Sequence, residues 1–423
     1  MDDLTRKLLQ SPLALAVFGI KQGAKTLTEG GWLPADTYVM KEWHSAFQYA
    51  EHRLGQVMNE AMSLGDHVHR GGVFAGLHYA LQTAESLLAD ETDHLVWQEA
   101  QNRMTAFGAF AYAETRLQVN LDLDTELHLN RLVANAAALD PYSSVWVTEG
   151  LGHYFVGSHI RQGYLARNLL REERMNTLPE RALIPLHAGM GLALAESVCE
   201  GLSESTSRTD LRRAFRRFVD LCRSNAREGF AGVALEGFGL VARTLHPYLI
   251  PAIDATLAEE DHDLLALFWH GVGRGLYFLP TQFLPLGSTV GHIADQIRQE
   301  APHQLALNNM MAGFAWPVTL VNIRTPAVIE RYLKAGFSRN TTQRAFAQGM
   351  RAALITWRDA SPADPSVQGL LAYQPDQSDT ATTAFWSSQI RIAGEKAIQN
   401  SYPEMKRNGR LDLLFRYQTG NIW

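Results

Sequence analysis

Apolar residues recur at three- and four-residue spacing along almost the whole chain, and alternating β-branched runs are scarce. That periodicity belongs to amphipathic helices rather than strands. Hairpin turn dipeptides between alternating runs are also absent. Helix starts can be read directly. Asp140-Pro141 sets an N-cap acid before a first-turn proline, and Asp261-His262-Asp263 precedes the run Leu264 to Trp269. The pattern predicts an all-α protein.

One motif repeats along this helical background. Glu149-Gly150-Leu151-Gly152, Ala188-Gly189-Met190-Gly191, Glu236-Gly237-Phe238-Gly239, His270-Gly271-Val272-Gly273, Ala312-Gly313-Phe314-Ala315 and Gln348-Gly349-Met350-Arg351 share it. Weaker copies lie around Gly72 and Gly108. A period of about forty residues suits two helices with their connections, repeated as a helical hairpin.

Glycine inside a helix costs about 1 kcal/mol relative to alanine, so paired glycines need a compensating gain. Positions n and n+2 lie about 200° apart on a helix, so two such glycines open opposite flanks to close neighbours. Position n+1 is apolar in all six copies (Leu151, Met190, Phe238, Val272, Phe314, Met350) and should face outer helices. The remaining face carries n−1 and n+3: Glu149/His153, Ala188/Leu192, Glu236/Leu240, His270/Arg274, Ala312/Trp316 and Gln348/Ala352. These features predict helical-hairpin repeats arranged as an α/α toroid-like barrel around a cavity, with an open α-solenoid as the alternative. The expected divisions are an N-terminal helical extension over 1–64, a repeat domain over 65–360 and a C-terminal helical tail over 361–423.

Composition narrows the function classes. The 423 residues are 46% hydrophobic and 19% charged, below the roughly 25% charge of ordinary domains, as expected for a large buried core. The net charge of −6 gives no footprint for nucleic acid. Cys199 and Cys222 are too few for a disulfide scaffold. The N-terminal apolar stretch from Ser11 to Ile20 reads as an amphipathic helix, because Lys21 and Lys25 follow and no small-x-small cleavage site is evident. No stretch reaches the ~18 uninterrupted apolar residues of a membrane span. The expectation is a soluble cytoplasmic protein without membrane or nucleic-acid partners.

Candidate chemistry gathers on the n−1/n+3 face. Glu149 and His153 stand four apart, so both lie on one side of a helix. A carboxylate beside an imidazole can fix its tautomer and raise its basicity, which suits proton transfer. Glu236 and His270 extend the candidate catalytic set. Arg274, Trp316, Tyr277 and Gln348 are candidate substrate contacts, with Arg274 as a fork for an anionic group. The aromatics suit a hydrophobic small molecule.

The glycine-centred repeats, with His270-Gly271-Val272-Gly273-Arg274-Gly275-Leu276-Tyr277-Phe278 as the best copy, resemble an accessory family encoded in enediyne polyketide cassettes. The resemblance covers residues 140 to 360. It implies a role in natural-product biosynthesis on a polyketide- or polyene-like molecule. The candidate residues themselves, Glu149 and His153 with Glu236 and His270, set the expected chemistry as cofactor-independent cyclisation or isomerisation by acid/base catalysis. A non-enzymatic helical scaffold for biosynthetic partner proteins is the first alternative.

The second alternative is a di-iron oxygenase built on Glu91-Thr92-Asp93-His94 and Glu259-Glu260-Asp261-His262, since paired Glu-x-x-His strings on facing helices supply such ligands. Acids complementing helix N-termini explain the strings more simply, and no metal ligand is assigned. Asp66-His67-Val68-His69 reads as a solvated loop. Neither a P-loop nor a Gly-x-Ser-x-Gly elbow is present.

Overall fold

A computed structural model describes residues 94–111, 113–117, 129–163, 167–171, 177–279, 282, 290–337 and 342–418. The N-terminal extension, the Gly72 copy, His67, His69, Glu91 and Trp423 lie outside the described residues. All the regular elements among the described residues are helices, as the periodicity predicts.

The chain divides into two compact units, residues 1–111 with 278–288 and residues 112–277 with 289–423. In the first, α1 (His94–Ala111) buries Trp97 and Met104. Its Arg103 holds Glu99 one turn earlier and the Gln282 carbonyl. A β-carbon added at Gly108 would meet nothing within 4 Å among the described residues, unlike the close-approach glycines below. The expected boundary at 64/65 lies outside the described residues. Residues 361–423, expected as a separate tail, belong to the same compact unit as the repeat helices.

The second unit is built from alternating long and peripheral helices. After α2 (Ala113–Leu117) and α3 (Leu129–Ala137) come α4 (Pro141–Arg161), α5 (Leu183–Cys199), α6 (Arg208–Asn225), α7 (Ala231–Leu245), α8 (Ile250–Glu260) and α9 (His262–Tyr277). Then follow α10 (Val290–Glu300), α11 (Gln304–Val321), α12 (Pro326–Tyr332), α13 (Gln343–Ala360) and α14 (Ser366–Ala372). A helical stretch over 380–407 and a 3-10 turn, Leu411–Phe415, complete the described chain. Asp140 caps α4 by accepting from the Tyr142 and Ser143 amides, and Asp261 does the same for Asp263 and Leu264 at α9. Both acids act as their sequence positions predict.

The six glycine-bearing helices α4, α5, α7, α9, α11 and α13 pack as successive neighbours, and their backbones set the spacing. A β-carbon on Gly239 would stand closer than 3.0 Å to the Phe268 carbonyl oxygen of α9, and one on Gly271 would collide in return with the Glu236 carbonyl of α7. The first glycine of a helix thus faces the preceding helix and the second faces the following one. Alanine would force these backbones apart, and it is this approach that offsets glycine's poor helix propensity.

The n+1 residues meet the peripheral helices, again as predicted. Phe238 contacts Phe215 and Phe218 of α6, with ring centroids 4.5 and 4.8 Å away. Phe314 contacts Tyr332 at 5.7 Å and Phe337 at 5.9 Å. The first and last of the six helices also touch, through Tyr142 of α4 and Trp357 of α13 at 5.8 Å. Among the described residues one helical stretch, Glu180–Cys199, is long and apolar enough to cross a membrane, and 89% of its apolar window is buried inside the protein.

Candidate functional site

Four of the expected polar residues meet on the face opposite the outer helices. Because n−1 and n+3 sit one turn apart, α9 presents His270 and Arg274 together, and α4 and α7 supply Glu149 and Glu236 from their own n−1 positions. Arg274 donates from Nη2 to Glu149 at 2.6 Å and from Nη1 to Glu236 at 3.1 Å. Glu236 also faces His270 Nδ1 at 3.1 Å. Glu236 and His270 are fully buried, and Arg274 and Glu149 nearly so. In such surroundings an ion pair survives only with good geometry and further hydrogen bonds, which this arrangement supplies.

The two carboxyls are pushed in opposite directions. Burial raises the pKa of Glu149, and Arg274 offsets only part of that shift, while nearby Glu236 adds to it. Burial also works to raise Glu236, but Arg274 and the hydrogen bond from His270 outweigh it and hold this carboxyl below its ordinary value. Burial favours loss of the Arg274 proton, yet the two carboxylates hold the guanidinium charged. Glu236 is therefore the settled anion of the group and Glu149 the carboxyl that keeps a proton more readily.

An ionised Glu236 can only accept, so His270 Nδ1 must carry the hydrogen. The other ring nitrogen, Nε2, is buried and has no hydrogen-bond partner among the described residues. Aromatic groups close around the cluster. The Arg274 guanidinium lies 4.6 Å from the Trp316 ring centroid, and Phe415 sits 6.2 Å from the His270 ring and 6.1 Å from Trp316. The C-terminal segment is tied over this face by its backbone: Tyr417 N–H donates to Asn309 at 2.7 Å and Gln418 N–H donates to Gln348 at 3.3 Å.

The remaining expected residues hydrogen-bond elsewhere, although His153 stays near enough to Glu149 for its charge to favour the ionised carboxyl. Glu149 and His153, read as a proton-transfer pair from their spacing, turn to different partners: Glu149 to Arg274, and His153 Nε2 to Glu196 of α5 at 3.0 Å. The i,i+4 spacing put both on one face, but it could not reveal cross-helix partners that compete for each side chain. Tyr277 is fully buried against Phe314, 5.9 Å away, and its hydroxyl accepts from Asn322 at 2.8 Å, which places it in the layer toward the outer helices. Gln348 holds the C-terminal segment.

Sequence reasoning missed Glu196, Asn309 and Phe415. Extending the inner stripe by one turn toward the start of α11 would have reached Asn309, whereas nothing in the tail's pattern assigns Phe415 to this face. The second Glu-x-x-His string serves ion pairs instead: Glu259 meets Arg208 and Arg212, and Glu260 meets Arg212. Among the described residues no three His, Cys, Asp or Glu side chains gather as metal ligands do.

The site therefore defines a class, an all-α protein of glycine-locked helical pairs with a buried Glu-Arg-Glu-His cluster on its inner face. No family model, curated protein or solved structure matches the chain.

Proposed function

We propose that the inner cluster is a proton-transfer site and that the six glycine-bearing helices close around it as an α/α toroid in a cytoplasmic protein. One observation carries this reading: His270 is fully buried, anchored through Nδ1 to Glu236, and leaves Nε2 without a partner among the described residues. A carboxylate behind one ring nitrogen fixes the tautomer and leaves the other nitrogen as a base, the arrangement general-base catalysis requires. Glu149, whose burial raises its pKa, is the matching acid, and carboxyls with separated pKa values are a mark of divided acid/base roles.

In this reading His270 Nε2 takes a proton from the substrate and Glu149 returns one, a redox-neutral sequence suited to isomerisation or cyclisation without a cofactor. Arg274 stabilises the negative charge that develops between the two steps. Trp316 and Phe415 give the site an apolar wall for a hydrophobic substrate. The resemblance to the enediyne cassette family makes a polyketide- or polyene-like molecule of natural-product biosynthesis the substrate class.

The test uses Glu149→Gln and His270→Gln in the producing cell, with the product profile read by mass spectrometry and folding checked by thermal melting. Loss of one acid or base group should lower product formation by about 100-fold or more. A folded Glu149→Gln protein with undiminished product would reject the site. A scaffold role would show as undiminished product together with a stable partner recovered from the same cells, and it would reject the proposal equally.

A further inference from the structure

The net charge of −6 conceals a strongly basic pocket in the second unit. This cavity, of about 1120 Å³, is lined by Arg167, Arg171, Arg213, Arg216, Arg217 and Arg223, and among the described residues Asp220 is the one acid in the lining. Its apolar floor comes from Ile160, Leu194 and Leu221 on α4, α5 and α6. No residue of the Glu-Arg-Glu-His cluster lines it.

Neighbouring carboxylates account for only part of this charge. Arg213 pairs with Asp210 at 2.7 Å, and Arg216 reaches Glu260 at 3.5 Å. Arg167, Arg171, Arg217 and Arg223 have no carboxylate partner among the described residues. Like charges gathered this way repel one another, and a helix surface in water would let them splay apart.

Here the backbone holds two of them in place. Residues 167–171 are fastened to the end of α6 by three hydrogen bonds: Asn168 N–H to the Ser224 carbonyl at 3.1 Å, Leu169 N–H to the Asn225 side chain at 3.1 Å, and Leu170 N–H to the Asn225 carbonyl at 3.2 Å. Asn225 is fully buried and is itself fixed by donating to the Leu221 carbonyl at 2.8 Å. Asn168 adopts a left-handed φ of 58°, a conformation that favours asparagine among non-glycine residues. Arg171 completes the fastening by donating to the Arg223 carbonyl at 3.3 Å. Arg167 and Arg171 are thus carried to the Arg-rich face of α6 by a built connection.

We propose that this pocket binds a small molecule carrying two or three linked phosphates. Guanidinium forks match phosphate oxygens in pairs, and several converging forks favour linked phosphates over a single one. The volume admits a nucleotide-sized ligand, and the apolar floor can take a non-phosphorylated body beside the charged chain.

The test is calorimetric titration of the full-length protein with inorganic tripolyphosphate at physiological salt, with orthophosphate at equal ionic strength as the comparison. Saturable one-site binding, clearly tighter than orthophosphate, is expected. Arg171→Ser/Arg217→Ser should weaken it by about tenfold or more, because two charge-assisted forks are lost together. Arg344→Ser removes an exposed charge elsewhere and should change nothing; Arg217→Gln alone is read if the double variant does not fold. Absence of saturable binding, or equal loss in Arg344→Ser, overturns the proposal. So does binding of a single-stranded oligonucleotide or of phosphatidylserine vesicles against which tripolyphosphate does not compete. These readouts do not involve His270 or Glu149, so either site can fail alone.

Discussion

Glu149 and Arg274, 125 positions apart in the chain, meet through a buried hydrogen bond of 2.6 Å between α4 and α9. Two glycine-bearing helices, α5 and α7, come between them in the order of packing, so the bond links non-adjacent members of the row. The same guanidinium holds Glu236, and its loss would strand two carboxyls away from water.

Replacing Arg274 by methionine, which keeps the packing volume and removes the charge, should therefore destabilise the protein by about 3–5 kcal/mol. Urea unfolding near neutral pH measures this. A loss below about 1 kcal/mol would mean that the cluster does little to hold the helices together.

His187 gives the fold a defined acid sensitivity. Its Nδ1 donates to the Leu183 carbonyl at 2.7 Å and its Nε2 accepts from the Arg227 N–H at 2.9 Å, so the ring must be neutral. Burial lowers its pKa from 6.5 to about 4, despite the opposing bond to Leu183. Between these values the unfolded chain binds a proton that the folded one refuses, and stability is lost as pH falls through the window. The integrated loss is about 3 kcal/mol. In His187→Gln, unfolding free energy measured from pH 7 to 4 should fall less steeply than in wild type; parallel curves would remove the ring from this role.

Two glycine-to-alanine changes should have opposite signs. Gly239→Ala drives a β-carbon into the Phe268 carbonyl, where only backbone movement can relieve the clash. It should lose about 3 kcal/mol, at the upper end for overpacked cores. Gly108→Ala meets nothing within 4 Å among the described residues and removes glycine's poor helix propensity from α1, so it should gain about 0.5–1 kcal/mol. Thermal melting of the pair checks both directions.

Phe415 is fully buried against His270 and Trp316. Truncating it to alanine should cost about 3–5 kcal/mol and open a path to the imidazole. Carbethoxylation of His270 by diethyl pyrocarbonate, mapped by mass spectrometry, should then accelerate relative to wild type. An unchanged rate in the folded variant would show that Phe415 does not guard the ring.

The helical class, the caps at Asp140 and Asp261, and the glycine contacts were all legible in the sequence because each depends on local spacing. The same logic located Glu149, Glu236, His270 and Arg274, since n−1 and n+3 share a face whatever surrounds the helix. It failed where partners come from elsewhere in the chain. His153 finds Glu196, and Tyr277 finds Asn322, through contacts between helices that periodicity does not encode. The arginine pocket escaped notice for a related reason. A whole-chain charge averages over its surface, and Arg167 and Arg171 reach α6 only through the fastening at Asn225.

The glycine contacts have a consequence for how the protein can change. Where peptide groups touch directly, the distance between two rods is fixed by atoms that every residue possesses. Side chains along the face that carries Glu149 and Arg274 can then be exchanged, altering its polarity or shape, without shifting the rods that carry them. New chemistry could arise there by substitution alone, on a frame whose dimensions stay constant.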